Sequence, residues 1–515
     1  MTTETAAGGE VGSGTGGGAG KGLAKGQLGL FGSTIMGLAS TAPVYSLVAT
    51  LGFVITAVGI HAPIAFILAF VPMFFIAFAY RELNRAVPDC GTTFTWATKA
   101  FGPRTGWMGG WGVAVAGIIV LANLAQIAGI YFWILLGQEE LSQTLWVTTL
   151  TGSIFIIAMV YVSYRGVEIG QKLQNVLLGI QYLALVLFVV LSFVAVLGGN
   201  APDASTLPSL EWFNPFGFTD FDSFTEAILL ALFIYWGWDT CLALNEETKD
   251  PKTIPGRAAL ISTLVLVVTY VLVAVAAISF AGIDALADQD DVFLVVKDAL
   301  FGPWAWLLVL AVLISAVSST QTTILPTARG TLSMAVYKAL PSRFGAVHPK
   351  YLTPGFSTLV MGAVSLVFFV GMTLISENFL ADSIYSLGLA IAFYYGLTGY
   401  ACVWYFRREL FDNAFNFVFK GLFPLLGALL LTAAFVKSAI DMLNPDNAYS
   451  VIFGVGGAFV IGIGSLLVGA VLMIVWSFFA GSKPFFRGES LNRDTEVLVP
   501  DDEVEYLRSI DGGRI

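Results

Sequence analysis

Long apolar stretches alternate with short polar segments along residues 28–480. The stretches run for roughly 18 to 25 residues, long enough to cross a hydrocarbon core of about 30 Å as a helix. Helices follow because lipid cannot satisfy the hydrogen bonds of a spanning backbone. The pattern predicts an all-α membrane protein with twelve transmembrane helices, spans 1 to 12: 28–58, 62–80, 105–137, 144–164, 168–198, 224–244, 257–281, 304–338, 355–375, 383–406, 420–437 and 451–480.

The composition excludes a soluble globular protein. Of 515 residues, 57% are hydrophobic and 12% are charged, about half the charged fraction that is usual in soluble domains. An even number of spans places both termini on one side. If that side is cytoplasmic, every Lys and Arg except Lys297 and Lys437 lies at or near an inner end, which is the positive-inside asymmetry expected in the cell membrane. The net charge of −10 averages a basic and an acidic face and gives no support for nucleic-acid binding.

Both ends of the chain are polar. Residues 1–26 are Gly-rich and have little apolar content, so we expect a disordered cytoplasmic tail. The stretch "GTGGGAGKG" within it lacks the Ser or Thr after Lys21 and the preceding strand that a phosphate-binding loop needs. Residues 481–515 are predicted to form a second cytoplasmic tail. No motif in the chain calls for a cofactor.

The middle of span 1, "LGLFGSTIMGLASTAPVYSLVATLGFV", is crowded with residues that disfavour a helix. Gly costs roughly 1 kcal/mol relative to Ala, and Pro removes a hydrogen bond and clashes with the preceding turn. Pro43 is better placed as the first residue of a second half-helix. Two interpretations remain open, an unwound segment and a proline kink that neighbouring helices tolerate.

Span 6 carries a carboxylate within an apolar run, "FIYWGWDTC". A charge at this depth costs at least about 2.5 kcal/mol on insertion scales, so Asp239 is expected to face a cavity or a partner. The alternative is an Asp that pairs with a basic or hydroxyl group for packing alone. Because ionisable residues inside membranes are usually functional, we favour a functional site.

The two irregular spans occupy equivalent positions if spans 1–5 and 6–10 form two repeats. An odd repeat length makes the second repeat inverted, and paired interruptions of this kind point to a transporter site at the bilayer midplane. The N–H groups of Ser40, Thr41 and Ala42 are predicted to bind a carboxylate at the positive end of a half-helix. Carbonyl groups around Tyr235 to Gly237 are predicted to accept from an ammonium group. An amino acid offers both charges, and an amine offers only one.

Three motifs carry a resemblance to a known family. The segment "FIYWGWDTCLALNEETKDPKTIPGRA" (233–258) resembles the span-6 signature of the amino acid, polyamine and organocation (APC) transporter superfamily. "YRELNRAVPDCGTTFTWATKAFGPRTGWMGGW" (80–111) is similar to the loop after span 2, and "ARGTLSMAVYKALPSRFGAVHPKYLTP" (328–354) to the exit of span 8. The resemblance implies the inverted five-helix repeat of the bacterial leucine transporter fold plus two extra helices.

The resemblance also assigns residues to the substrate site. The unwound part of span 1 matches Gly37 to Pro43, including Ala39, and that of span 6 matches Tyr235 to Asp239. Trp236 or Trp238 is expected to form an aromatic gate over the substrate, and Asp239 lies where several relatives carry a carboxylate proposed to sense protons. "ASTAP" replaces the usual Gly-Ser/Thr-Gly motif and looks more like polyamine and amine importers.

The coupling ion is left open between a proton and sodium. Gln181 lies where proton-coupled relatives have a Lys in span 5, and Gln cannot carry a proton. Ser318 and Ser319 in span 8, together with carbonyls of span 1, can form an oxygen site for sodium. The alternative is that these hydroxyls bond to their own helix or hold helices together. Asp239 is the favoured coupling group.

The sequence therefore predicts a secondary active transporter, not an enzyme, for an amino acid or a related small amine. The transporter is expected to move its solute by alternating access. Transport is expected to be coupled to protons or to sodium, or to run as exchange. The alternatives are a polyamine importer of the same family and a passive channel or sensor on the same fold.

Asn123 in span 3 is predicted to line the cavity or else to join helices. The glycines of span 12 suggest close helix contact or a homodimer face. The predicted transporter domain, 27–480, is surrounded by membrane lipid and divides into repeat one (about 28–198), repeat two (about 224–406) and two extra helices (about 420–480).

Overall fold

The structure, a computed structural model, describes residues 20–218, 221–287, 289, 291–375, 378–447 and 450–498. The part of the chain that corresponds to the predicted repeat one contains eight α-helices within these residues. They are α1 (Leu30–Ser40), α2 (Pro43–Val58), α3 (Ala62–Ala86), α4 (Thr93–Phe101), α5 (Pro103–Leu135), α6 (Glu139–Ser142), α7 (Leu145–Arg165) and α8 (Val167–Leu197).

The remaining described residues add twelve α-helices and one small hairpin. The helices are α9 (Phe221–Phe233), α10 (Thr240–Ala243), α11 (Ile254–Ala281), α12 (Ile283–Leu286), α13 (Val292–Phe301), α14 (Ala305–Val336), α15 (Gly355–Ile375), α16 (Phe379–Tyr405), α17 (Ala414–Asn416), α18 (Phe423–Leu443), α19 (Gly457–Ser477) and α20 (Lys483–Phe486). Strands β1 (Val451–Ile452) and β2 (Val455–Gly456) pair antiparallel. The predicted all-α class is confirmed, and this hairpin delays the start of the last long helix from the predicted residue 451 to Gly457.

Ten segments of the described chain are long and apolar enough to cross a membrane. One of them, Leu30–Ala86, contains both predicted spans 1 and 2. Span 6 is absent from the ten because its two halves, α9 and α10, are both short. The total of twelve spans therefore stays a prediction.

Helices at equivalent positions of the two halves pack against one another. Helix α5 packs along α14, and α3 packs along α11, which pairs spans 3 and 8 and spans 2 and 7. The first half of span 1, α1, contacts α10, and its second half, α2, contacts α9. This crossed pairing is what two inverted repeats of five spans require.

Small residues let these helices approach closely, as is usual where lipid removes the hydrophobic drive between helices. A Cβ atom on Gly117 of α5 would lie 2.2 Å from Cγ2 of Thr327 on α14. The glycines of α19 serve packing within the chain: a Cβ on Gly462 would lie 2.8 Å from Leu389, and one on Gly469 would lie 2.0 Å from Trp111. Close helix contact therefore explains these two glycines without a second copy.

Both predicted tails include residues that pack against the bundle. Lys21 and Leu23 are buried, because Lys21 has two carboxylate partners and Leu23 packs with Cys90 and Leu332. At the other end, Phe485 is fully buried in an apolar cluster. Residues 1–19 and 499–515 of the predicted tails lie outside the described residues. Residues 20–28 and 482–498 pack at one end of the bundle, which we call the termini face.

Candidate functional site

The interruption of span 1 is confirmed as a break between α1 and α2. Helix α1 ends at Ser40, and Ala42 takes a left-handed conformation with φ 47° and ψ 63°. Pro43 is the first residue of α2, where its missing N–H and its fixed φ cost nothing. The chain therefore forms two half-helices and not one kinked helix.

The interruption of span 6 is also confirmed. Helix α9 ends at Phe233, α10 begins at Thr240, and residues 234–239 form turns. Gly237 has a φ of 108°, a conformation that side-chain-bearing residues rarely adopt. Asp239 is the residue that immediately precedes α10.

The two breaks lie directly against each other. A Cβ atom on Gly237 would lie 2.8 Å from the carbonyl oxygen of Ser40, so only glycine allows this approach. The hydroxyls of Ser40 and Thr240 lie 2.8 Å apart in a hydrogen bond. On the other side, a Cβ on Gly37 would lie 3.2 Å from the carbonyl oxygen of Trp238. The structure thus brings together the two sets of residues predicted from spans 1 and 6.

Asp239 is buried between two tyrosines of α16. Tyr395 donates its hydroxyl to Oδ1 at 2.9 Å, and Tyr394 donates to Oδ2 at 3.3 Å. The indole N–H of Trp236 donates in turn to the Tyr394 hydroxyl. In the described part of the chain no Lys or Arg forms an ion pair with this carboxylate. Asp239 is therefore hydrogen-bonded by neutral groups but is not neutralised by a cation.

Four aromatic rings pack together beside the carboxylate, which accepts a hydrogen bond from one of them, Tyr395. The ring centroids of Trp238 lie 5.1 Å from Tyr80 and 5.3 Å from Tyr395, and Tyr80 lies 5.1 Å from Trp96. We call Tyr80, Trp96, Trp238 and Tyr395 the aromatic box. The indole nitrogen of Trp238 is buried and has no hydrogen-bond partner among the described residues. Tyr80 packs edge to face against the other three rings, so the buried carboxylate of Asp239 lies beside a compact group of aromatic side chains.

Sequence reasoning missed the two tyrosines of α16 and the ring of Tyr80. The signal available was "FYYGLTGY", a run of polar-tipped aromatics in an apolar span. Tyr235, by contrast, was predicted at the site, but its hydroxyl donates to the carbonyl of Phe66 at 3.0 Å. Its side chain therefore joins span 6 to α3 and leaves only its backbone near the break.

Some of the span-1 backbone N–H groups that were predicted to bind an anion are already bonded within the protein. Ser40 is the last residue of α1, so its N–H belongs to the helix ladder. The N–H of Ala42 donates to the carbonyl of Ala39 at 3.2 Å, and the N–H of Tyr45 donates to the Ser315 hydroxyl. Thr41 causes this, because its near-helical conformation (φ −76°, ψ −10°) continues the last turn of α1 and points the Ala42 N–H back toward that helix. Fewer backbone donors than predicted face the site.

The span-8 hydroxyls point to different neighbours. Ser319 donates to the carbonyl of Ser40 at 2.8 Å, which places it at the break of span 1 as predicted. Ser318 donates instead to Oε1 of Gln174 on α8. The amide of Gln174 also donates to the carbonyl of Ser318 at 3.0 Å. Gln174 was not predicted, and it lies two turns before Gln181 along α8.

Gln181 and Asn123 are both buried but differ in their contacts. Neither amide atom of Gln181 has a hydrogen-bond partner among the described residues. Asn123 accepts from the Tyr45 hydroxyl and donates to Ser383 at 2.6 Å. Asn123 therefore joins α2, α5 and α16, which is the helix-joining alternative, on the wall of the same buried region.

The site is closed to solvent in this conformation. Asp239 is 6% exposed, and Trp238 and Tyr395 are fully buried. At the termini face, Arg329 makes a bidentate ion pair with Glu247, with distances of 2.5 and 2.8 Å. The two breaks and Asp239 therefore lie inside the protein in this conformation.

Comparison with known proteins agrees with this geometry. The profile of the family described as "Amino acid permease" matches residues 28–484. The chain is 27% identical over 421 residues to the low-affinity putrescine importer PlaP of Escherichia coli K12, covering 78% of this chain and 86% of that protein. It is 23% identical over 360 residues to the branched-chain amino acid permease BcaP of Bacillus subtilis, covering 66% and 74%. The methylthioribose transporter of Bacillus subtilis is 25% identical over 357 residues, covering 66% and 73%. The chain belongs to the amino acid permease family of the APC superfamily and is a multi-pass membrane protein and a secondary transporter, not an enzyme.

Proposed function

We propose that this transporter takes up a small organic amine across the cell membrane, with the termini face in the cytoplasm. The observation that carries this proposal is Asp239, a buried carboxylate with no cationic partner among the described residues, beside the aromatic box. A buried unpaired charge is costly, so the site is built to receive a positive charge. An alkylammonium group satisfies both the carboxylate and the ring faces.

An amine without a carboxylate of its own, such as putrescine, is our first candidate substrate, ahead of an amino acid. An amino acid brings a carboxylate of its own, and the N–H groups of Ala42 and Tyr45 are already bonded within the protein. The similarity to a putrescine importer covers more of the chain than the similarity to BcaP. An amino acid is the second candidate, supported by the description of the family and by BcaP.

Ligand-dependent thermal stability tests the substrate class. A ligand that binds only the native state stabilises it by about 2.7 kcal/mol at a concentration 100 times its Kd. We expect putrescine to raise the melting temperature of the purified protein, and succinate, which carries charges of the opposite sign, to leave it unchanged. A rise with leucine and none with putrescine would favour the amino acid candidate, and a response to neither would contradict both.

Proton coupling through Asp239 is our proposal for the driving ion. Ser318 and Ser319 do not converge, since one contacts Gln174 and the other the carbonyl of Ser40. A sodium ion needs several oxygen ligands at one point. Asp239, in contrast, is an uncompensated carboxylate at the junction of the two breaks.

Ion replacement separates the two coupling ions. In proteoliposomes with an imposed proton gradient, we expect uptake to persist when choline replaces all sodium, and to collapse when a protonophore dissipates the gradient. Accumulation above the external concentration also distinguishes the transporter from a passive channel, which only equilibrates. Loss of uptake in choline would instead assign coupling to a sodium site.

Lipid contacts and assembly follow from the outer surface. Exposed apolar side chains cover one face of α19, including Leu467, Val468 and Val471, and we propose that this face contacts lipid. A Cβ atom on Gly464 of α19 would have no neighbour within 4 Å among the described residues. If a homodimer forms, this open glycine marks where a second helix can approach.

A further inference from the structure

Lys21, in the Gly-rich N-terminal arm, lies in an acidic pocket at the termini face. Its ammonium nitrogen is 2.7 Å from Oδ2 of Asp89 and 2.6 Å from Oε1 of Glu246, and none of the three side chains is exposed. The pocket resembles a cation site, since donor atoms of Asp89, Cys90 and Glu246 lie within 4.8 Å of one another. The chain fills this site with its own ammonium group.

The pocket is organised around Asp89 by a full set of donors. Oδ1 of Asp89 accepts from the Gly91 N–H at 2.8 Å, from Thr95 at 2.8 Å and from Ser333 at 2.7 Å. The hydroxyl of Tyr337 donates to Oδ2 at 2.9 Å. Burial alone raises the pKa of Asp89, but the charge of Lys21 and these hydrogen bonds bring that pKa below its usual range. Asp89 is therefore ionised and holds Lys21 in its charged form.

The pocket joins segments that follow spans in the two predicted repeats. Asp89 belongs to the segment between α3 and α4 of repeat one, and Glu246 follows α10 of repeat two. The arm that carries Lys21 leads into α1, and its residue Leu28 donates and accepts backbone hydrogen bonds with Glu247 and Lys249 at 3.1 and 2.9 Å. Lys21, on the arm that leads into α1, thus links the segment after α3 to the segment after α10 at the termini face.

The C-terminal strap, residues 482–498, braces the same pocket. Ser490 donates to the carbonyl of Tyr337 at 2.6 Å, and Lys99 donates to the carbonyls of Asn492 and Thr495 at 3.2 and 2.6 Å. Because the hydroxyl of Tyr337 contacts Asp89, the strap positions one wall of the Lys21 pocket. The N-terminal arm and the C-terminal strap therefore both contribute to the Lys21 pocket.

We propose that Lys21 is a latch that holds the transporter closed at the termini face, and that it leaves the Asp89–Glu246 pocket each time the site opens to that face. Removing its charge leaves two buried carboxylates facing each other without a cation, which destabilises the closed arrangement. The equilibrium then shifts toward the conformation open at the termini face, where water reaches both carboxylates. The latch is a property of the gate and does not depend on which amine is carried.

Native Cys241 reports this opening. It is fully buried on α10, between Asp239 and Glu246, with its sulfur near the carbonyl of Trp238. A thiol reagent reaches it from the termini face only when α10 separates from its neighbours. Site-resolved mass spectrometry after maleimide treatment gives the rate of modification of Cys241 separately from those of Cys90 and Cys402.

The test compares Lys21→Met, which keeps an unbranched side chain of similar length, with Lys21→Arg, which keeps the charge. We expect Cys241 to react about tenfold faster in Lys21→Met, and at close to the wild-type rate in Lys21→Arg. Lys249→Met is the matched control, since Lys249 is exposed at the same face, and its rate should equal that of the wild type. An unchanged rate in folded Lys21→Met would overturn the latch.

A purely structural role is distinguished by a second variant. Glu246→Gln removes one carboxylate and keeps the shape of the pocket and the Lys21–Asp89 pair. The latch predicts an intermediate rate of Cys241 modification at temperatures well below melting, with no loss of fold. If Lys21→Met fails to fold, Glu246→Gln provides the test. Modification of Cys241 at the wild-type rate in Glu246→Gln would reject the proposal.

Discussion

Replacing Asp239 with Asn is expected to abolish accumulation of substrate driven by a proton gradient. Asn has nearly the same shape and can still accept from Tyr395 or Tyr394, which now donate at 2.9 and 3.3 Å, so the fold is expected to survive. It carries no charge and cannot exchange a proton. A hydrogen bond to a charged partner is worth about 1.5–3 kcal/mol, so amine binding is expected to weaken by about 10- to 100-fold.

Two measurements on the same proteoliposomes separate coupling from binding. Gradient-driven accumulation reports coupling, and exchange of labelled for unlabelled substrate at saturating concentration reports binding and conformational change. We expect Asp239→Asn to lose the first and to retain part of the second. Asp284→Asn, which changes an exposed carboxylate on α12, is the control and should match the wild type in both. Full accumulation with wild-type pH dependence in Asp239→Asn would refute the assignment of Asp239 as the coupling group.

The breaks in spans 1 and 6 were predictable because helix-breaking residues act locally. Pro43 and Gly237 disfavour a continuous helix whatever surrounds them, and the structure places a break at each. The partners of Asp239 were not predictable in the same way. Tyr395 is 156 residues away along the chain, and no sequence pattern within its own span indicates that its hydroxyl contacts a carboxylate.

The partners of the charged residues at the termini face were also not predictable from the sequence. The cations nearest to Glu246 and Glu247 along the sequence are Lys249 and Lys252. The structure pairs Glu247 with Arg329 and Glu246 with Lys21 instead, while Arg81 pairs with its neighbour Glu82. Composition assigned Lys21 to a disordered tail because glycines surround it. Buried contacts with Asp89 and Glu246, which lie 68 and 225 residues away, outweigh that local preference, and no local pattern encodes them.

Replacing Gly237 with Ala is expected to eliminate transport, because the two breaks can approach only where span 6 has no side chain. The φ of 108° is strained for any residue with a Cβ, at a cost of about 1–3 kcal/mol. In addition, the new methyl group would lie 2.8 Å from the carbonyl oxygen of Ser40 and 2.9 Å from its carbon. Backbone atoms cannot turn away as a flexible side chain can, so the break of span 1 must move.

That movement separates the groups that form the site. Ser40 holds the hydroxyl of Thr240 at 2.8 Å and its carbonyl accepts from Ser319, so displacing it disturbs spans 1, 6 and 8 together. We expect Gly237→Ala to lower the melting temperature and to reduce both accumulation and exchange to background. Gly179→Ala is the matched control, since Gly179 lies on the exposed face of α8, where a Cβ would meet none of the described residues within 4 Å. Wild-type exchange and melting in Gly237→Ala would show that the two breaks do not need this contact, and the site would then have to lie elsewhere in the bundle.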